Sequence, residues 1–204
     1  MRLRATRRSG ASSRLSVAAI PSILAFDPAN TSASATLSEN NARVTTSEID
    51  RASRSAQGKA TGSGAFYFEM IGVVVNGGTL IGVMNGTGSL DDYLGSTDRT
   101  LGLNSANGDV LSGGSLGASG TGAYVAGDVI GVYLNRNVGK VWFAKNGVLA
   151  AGQDPIANTG GFQTPGSGDL YAAASVSQGG STRFRTVSSQ FSYPLLSGYA
   201  AWGA

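Results

Sequence analysis

The stretch Gly127–Gly152, GDVIGVYLNRNVGKVWFAKNGVLAAG, constrains the fold more than any other part of the chain. Val129, Gly131 and Tyr133 alternate with Ile130, Val132 and Leu134, and Asn135-Arg136-Asn137 leading to Gly139 breaks the run. Period-two alternation that stops at turn residues is the mark of a strand. Val141–Ala144 forms a second β-rich run, closed by Lys145-Asn146-Gly147. An Asn-Gly pair accepts the positive φ angles of a type I′ turn, so Val148–Ala150 reads as the return strand and the stretch encodes two successive hairpins. Trp142 and Phe143 fall on opposite faces of one strand. One of them is core, and the other serves inter-element packing or an interface.

The rest of the chain continues in this style. Glycine supplies 31 of 204 residues, about twice the usual share of roughly 7%, which predicts short strands joined by tight turns. Thr36–Ser38 and Arg43–Thr46 flank Glu39-Asn40-Asn41 as an early hairpin, and polar Ser47–Gly64 reads as a connection with one weak strand. Gly64–Val75 reads as a strand with Phe66 and Phe68 on one face and Tyr67 and Glu69 on the other, and Leu80–Met84 is its expected neighbour. Asn85–Tyr124 alternates long loops with short strands; Asp169–Val176 and Thr182–Val187 make the late strands. The length suits one sandwich domain with a sizeable core.

Composition narrows the chemistry. The chain has no His and no Cys, which removes disulfides, thiol nucleophiles, imidazole catalysis and the usual zinc ligands. Only Glu39, Glu48 and Glu69 are glutamates, and Glu48-Ile49-Asp50 begins an E-x-D-x-x-E glycosidase strand that Ser53 fails to complete. The glycine-rich Gly117–Gly122 and the pair Gly139-Lys140 lack the strand-to-helix context of a phosphate loop. No apolar run approaches the roughly 20 residues that span a bilayer. The reading is a non-enzyme without cofactor or metal and without a membrane partner.

Charge divides the chain in two. Residues 1–22 carry Arg2, Arg4, Arg7, Arg8 and Arg14 with no acid, so residues 23–204 hold 10 basic and 12 acidic groups, a net of −2. We expect an extended N-terminal arm over 1–22 that binds a partner, preferably protein; phosphate contact with nucleic acid is the lesser alternative. A β domain fills 23–204. Within it, the loop residues Asp91, Asp92, Tyr93, Asp98, Arg99 and Asn107 form a second candidate recognition set, with Tyr93 for stacking and Asp or Asn for sugar hydroxyls. The Asp residues lack the register of a calcium loop and read better as a solvated surface.

The hairpin stretch also resembles the SPRY (B30.2-like) family, whose pattern runs G-D-V-I-G-V, a turn, then G-x-[VL]-x-F-x-K-N-G. Further landmarks follow in order: Phe66-Tyr67-Phe68-Glu69 as the Y-F-E strand, Ile81-Gly82-Val83 as V-G-[VW], and Leu170–Val176 as L-Y-P-A-V. Phe191-Ser192-Tyr193-Pro194 with Ser197-Gly198-Tyr199 matches the closing segment. Three positions depart: Ala172 stands for Pro, Arg183-Phe184-Arg185 for N-F-G, and no Trp precedes the Y-F-E strand. The resemblance implies an all-β, two-sheet antiparallel concanavalin-like sandwich that serves recognition. The Gly/Ser/Ala-rich style and the ending Ser-Gly-Tyr-Ala-Ala-Trp are most similar to versions in bacteriophage structural proteins. The expected role is therefore a virion protein, capsid- or tail-associated, that contacts other virion proteins through arm and sandwich, with self-association as a further option. The alternatives are a host-glycan receptor module using the 85–124 loops and a cellular peptide-binding adaptor.

Overall fold

The computed structural model describes residues 25–204, and among these the chain forms sixteen strands and one short 3-10 turn, Ser188–Gln190. In chain order they begin β1 (Phe26–Thr31), β2 (Ala35–Ser38), β3 (Arg43–Thr46), β4 (Arg51–Lys59), β5 (Ala65–Val74), β6 (Leu80–Asn85), β7 (Thr100–Asn104) and β8 (Asp109–Ser112). They continue β9 (Ser115–Ser119), β10 (Val129–Asn135), β11 (Lys140–Lys145), β12 (Val148–Leu149), β13 (Phe162–Gln163), β14 (Leu170–Val176), β15 (Ser181–Arg185) and β16 (Ala200–Ala201). The first sheet has the order β1-β4-β14-β6-β7-β8-β9. The second runs β12-β11-β10-β5-β15-β3-β2, with β13 beside β11 and β16 beside β5. The β16–β5 pairing is parallel, and the rest are antiparallel. This is the expected two-sheet sandwich.

Both hairpins of the opening stretch are present. β10 pairs β11 from Ile130–Lys145 to Asn135–Lys140, and β11 turns into β12. Asn146 and Gly147 have φ of 51° and 78°, the left-handed pair that a type I′ turn demands. Gly131 answers a different need: a Cβ there would lie 2.6 Å from the Tyr67 hydroxyl, so the aromatic ring passes directly over the strand.

Two readings need correction. β6 is not the neighbour of β5: β5 lies between β10 and β15, whereas β6 lies between β14 and β7 in the other sheet. The short Val75–Thr79 link has the length of a hairpin turn but crosses between sheets, because the edge of β5 at Val74 is already taken by Ser181. The weak strand expected in Ser47–Gly64 is a nine-residue interior strand, β4. Its buried side chains are small, Ala52, Ser53 and Ser55, and its partner β14 offers Ala172, Ala173 and Ala174. Close packing of small residues leaves little hydrophobic signal.

Strand alternation divides each sheet's two faces. Phe68 and Met70 of β5 join Ile81, Val83, Ile130, Val132, Phe143, Phe184 and Trp202 in the core between the sheets. Trp142 points the other way, into a cluster with Tyr67, Tyr133 and Ala144 on the outer face of the second sheet. Phe191, Leu195, Leu196 and Tyr199 cover that cluster. The first sheet's outer face carries Leu80, Met84 and Ala173, covered by Leu90, Tyr93 and Leu94 from the β6–β7 loop. Each outer face thus has its own strap.

Candidate interaction surfaces

Strand register assigns every turn to one of two ends of the sandwich. β5 finishes at Val74 where β15 starts, β10 starts at Val129 and β11 finishes at Lys145. This end therefore collects the 46–50, 75–79, 120–128 and 146–148 turns. Four large apolar side chains stand in solvent here: Ile49 (57% exposed), Val74, Val125 (65%) and Val148 (69%). They are spread across the width of the sandwich from the β3–β4 turn to β12, and the other two large exposed apolar residues among those described, Val138 and Ile156, stand at the opposite end. Beside Val148 lies a groove of about 430 Å³ lined by Gly120, Thr121, Lys145, Asn146, Leu149 and Ala151. Two hydrogen bonds tie its walls. Lys145 Nζ donates to the Ala123 carbonyl at 2.8 Å, and Asn146 Nδ2 donates to Asp128 Oδ1 at 2.7 Å. The Asp128 carboxyl is held below its ordinary value by the donors Val125 N–H and Asn146 and by the charge of Lys145, against the opposing effect of burial.

At the opposite end a cavity of about 250 Å³ opens among Asn135, Asn137, Pro155, Ile156, Ser197 and Tyr199. Burial pushes the Tyr199 hydroxyl up to about 12, and it donates to the Pro155 carbonyl at 3.3 Å. Arg136 braces this end, donating to Thr61 Oγ1 and the Gly168 carbonyl; burial lowers its pKa.

A third concavity, about 240 Å³, runs along the flank where both sheets end. Residues 32–34 join edge strand β1 of one sheet directly to edge strand β2 of the other, and Pro28, Thr31, Ser32, Ala35, Leu37 and Asn41 line the gap.

The predicted loop residues separate. Asp91, Asp92, Tyr93, Asp98 and Arg99 share the β6–β7 loop, but Asn107 sits in the β7–β8 turn at the other end of β7. Asp91 Oδ1 accepts from Ser32 Oγ at 2.6 Å, Asp92 Oδ1 accepts from the Tyr93 N–H at 2.8 Å, and Tyr93 packs into the outer cluster of the first sheet. Asp98 and Arg99 are exposed, and Arg99 donates to Thr87 Oγ1. Asn107 donates to Asp109 Oδ2 at 2.7 Å. Arg2, Arg4, Arg7, Arg8 and Arg14 lie outside the described residues. Among the described residues no group of three or more acidic side chains is placed to hold a metal.

Sequence reasoning missed the role of Glu69. It is completely buried, yet its carboxylate accepts from Tyr67 Oη at 3.0 Å, from Ser192 N–H at 2.8 Å and from Tyr193 N–H at 2.9 Å. Arg185 stands 3.4 Å away. Burial, then the neighbouring Glu69 charge, pushes the Tyr67 phenol far up, so it stays a donor. The Arg-Phe-Arg sequence that departs from N-F-G serves this arrangement: Arg185 meets Glu69, Phe184 is core and Arg183 forms a two-pronged pair with Glu39 at 2.6 and 2.9 Å. An acid at the end of an aromatic run gave no signal that three of its partners, Arg185, Ser192 and Tyr193, lay more than 110 residues away.

Comparison with known proteins agrees with this geometry. The family model described as SPRY domain matches residues 65–188. The SPRY domain of human HERC1 superposes with a TM-score of 0.64 at 17% identity, covering 78% of this chain and 96% of that one. The TRIM65 PSpry domain gives 0.61 at 16% identity, covering 79% and 90%, and another human SPRY domain 0.57 at 19%, covering 74% and 94%. No curated protein sequence matches the chain.

Proposed function

The chain belongs to the SPRY domain family, and from that premise we propose that it is a non-enzymatic structural component of a bacteriophage particle, capsid- or tail-associated. SPRY domains are protein–protein interaction modules and generally non-catalytic. The observation that carries the contact reading is that four of the six large exposed apolar residues among those described, Ile49, Val74, Val125 and Val148, stand at one end, where Val148 borders a groove. Burying them against a partner gains roughly 25 cal/mol per Å² of apolar surface removed from water, with no side chain needing chemistry of its own. The virion part rests on the charge-segregated arm: five arginines in residues 1–22 against a net of −2 in the remainder, a division suited to lacing into a neighbouring subunit.

The glycan alternative has less support, because Asp91, Asp92 and Tyr93 already spend their polar groups or rings on internal contacts. The test is incorporation. Val125→Asp/Val148→Asp, two surface changes that leave the core untouched, should lower the amount recovered in particles purified from the native source at least tenfold. Unchanged incorporation overturns the role of this end, and glycan-array binding lost in Tyr93→Ala would move the function to the 85–124 loops.

A further inference from the structure

We propose that the groove between β1 and β2 receives the Val17–Ile20 segment of a second copy's N-terminal arm, added as an extra strand parallel to β2. This deepens the arm half of the reading above by naming where the arm docks and on what. It does not depend on the apolar end.

The receiving surface is half built. Ala35 and Leu37 pack against the main core but remain half-buried, because the sandwich stops there. Among the described residues β2 has β3 as its one strand partner, so its outer edge presents backbone donors and acceptors to any incoming extended segment. Four apolar residues, Val17-Ala18-Ala19-Ile20, equal the four of β2, about 13 Å of strand. Whichever face turns inward, two apolar side chains lie over Leu37. Pro21 has no N–H and ends the pairing.

The described chain begins at this flank. The Ala25 carbonyl accepts from Ala56 N–H at 3.2 Å, and Phe26 N–H donates to the Asn41 carbonyl at 3.0 Å. Asn41 lines the groove. Those two bonds fix the chain's direction at 25–26, so a copy's own arm would have to reverse within a few residues to enter its own groove. A second copy's arm meets no such demand.

Charge sets the direction. At the Ser32 end of the groove stand Asp91, bonded to Ser32, and Asp92, whose charge adds to burial in raising the Asp50 carboxyl. Arg51, whose charge also acts on Asp50, donates to the Asp91 backbone carbonyl at 3.3 Å, leaving one cation among the three acids Asp50, Asp91 and Asp92. A strand parallel to β2 carries its N-terminal side toward this end, which brings Arg14, three residues before Val17, within about 10 Å of the paired segment. Arg8 and Arg7 follow.

The natural lack of cysteine allows a direct test on the full chain. Single-cysteine variants Ser16→Cys in the arm and Ser34→Cys at the Ser32 end of the groove are mixed and mildly oxidised, and the products are separated without reductant. The expected result is a disulfide-linked mixed dimer at several times the yield of either homodimer, and at several times the yield of Ser16→Cys mixed with Ser38→Cys. Equal yields in all pairs overturn the proposal. So does a Ser16→Cys/Ser34→Cys double variant that closes internally as a monomer on dilution, which would place each arm in its own groove. Incorporation through Val125 and Val148 is read in particles, so either result can fail alone.

Discussion

The two outer faces of the sandwich are covered by similar straps held down by different physics. On the second sheet, Phe191–Tyr199 lies over Tyr67, Tyr133 and Trp142 and is pinned by a fully buried carboxylate, Glu69, that takes two consecutive backbone N–H groups. On the first sheet, the β6–β7 loop lies over Leu80, Met84 and Ala173 and is pinned by hydroxyls: Ser175 Oγ accepts from Leu94 N–H at 3.1 Å, and Thr100 Oγ1 from Gly95 N–H at 2.7 Å. A charged acceptor makes stronger hydrogen bonds and leaves a larger penalty when it is removed, whereas a hydroxyl costs little either way. The lesson is that coverage alone does not rank the straps. Their anchors do.

Breaking the charged anchor should have the largest effect. Glu69→Ala leaves Tyr67 Oη and two N–H groups without their acceptor and Arg185 with Ser192 Oγ alone, and should cost about 3–5 kcal/mol in urea unfolding at pH 7. Amide exchange at Ser192 and Tyr193 should rise before global unfolding. A loss below about 1 kcal/mol would show that aromatic contacts such as Tyr67–Phe191, centroids 4.9 Å apart, hold the strap instead. The neutral anchor should cost less: Ser175→Ala should lose about 1–2 kcal/mol, with faster exchange at Leu94 as its local sign.

The smallest effect sharpens the comparison by pH. Asp50 faces Asp92 on the first-sheet strap, and burial and then that charge raise its carboxyl above the ordinary value of 3.8. A raised acid favours the fold below its unfolded pKa, and that contribution is lost as pH rises through the folded value. Asp50→Asn, at a φ of 54° that Asn accepts, should therefore stabilise by a few tenths of a kcal/mol at pH 7. The gain should vanish below the carboxyl range. A melting-temperature difference between the two chains that does not change with pH would remove Asp92 as the cause.

What could be read from the sequence was whatever is local. The Asn146-Gly147 turn, the alternation of β10 and the split of Trp142 from Phe143 follow from neighbours a few residues apart, and each is found in place. The partner of β5 was not legible, because period two states that a strand has two faces and says nothing of which strand lies beside it. β4 was hidden by its small side chains. Glu69 was hidden because its donors, Ser192 and Tyr193, come from a segment with no regular structure. The exposed apolar end could be seen only after register had brought Ile49, Val74, Val125 and Val148 to the same end.

Parallel pairing of β16 with β5 has a consequence in time. Trp202 belongs to the main core, its ring 5.2 Å from that of Phe68 and its backbone N–H donating to the Tyr67 carbonyl at 2.8 Å. Those partners are synthesised some 130 residues earlier. During synthesis β5 must therefore wait with an open seat in its core face until the ribosome has delivered residue 202. The growing chain carries that unfilled aromatic site until then, and the core of the sandwich closes only after residue 202 has been made.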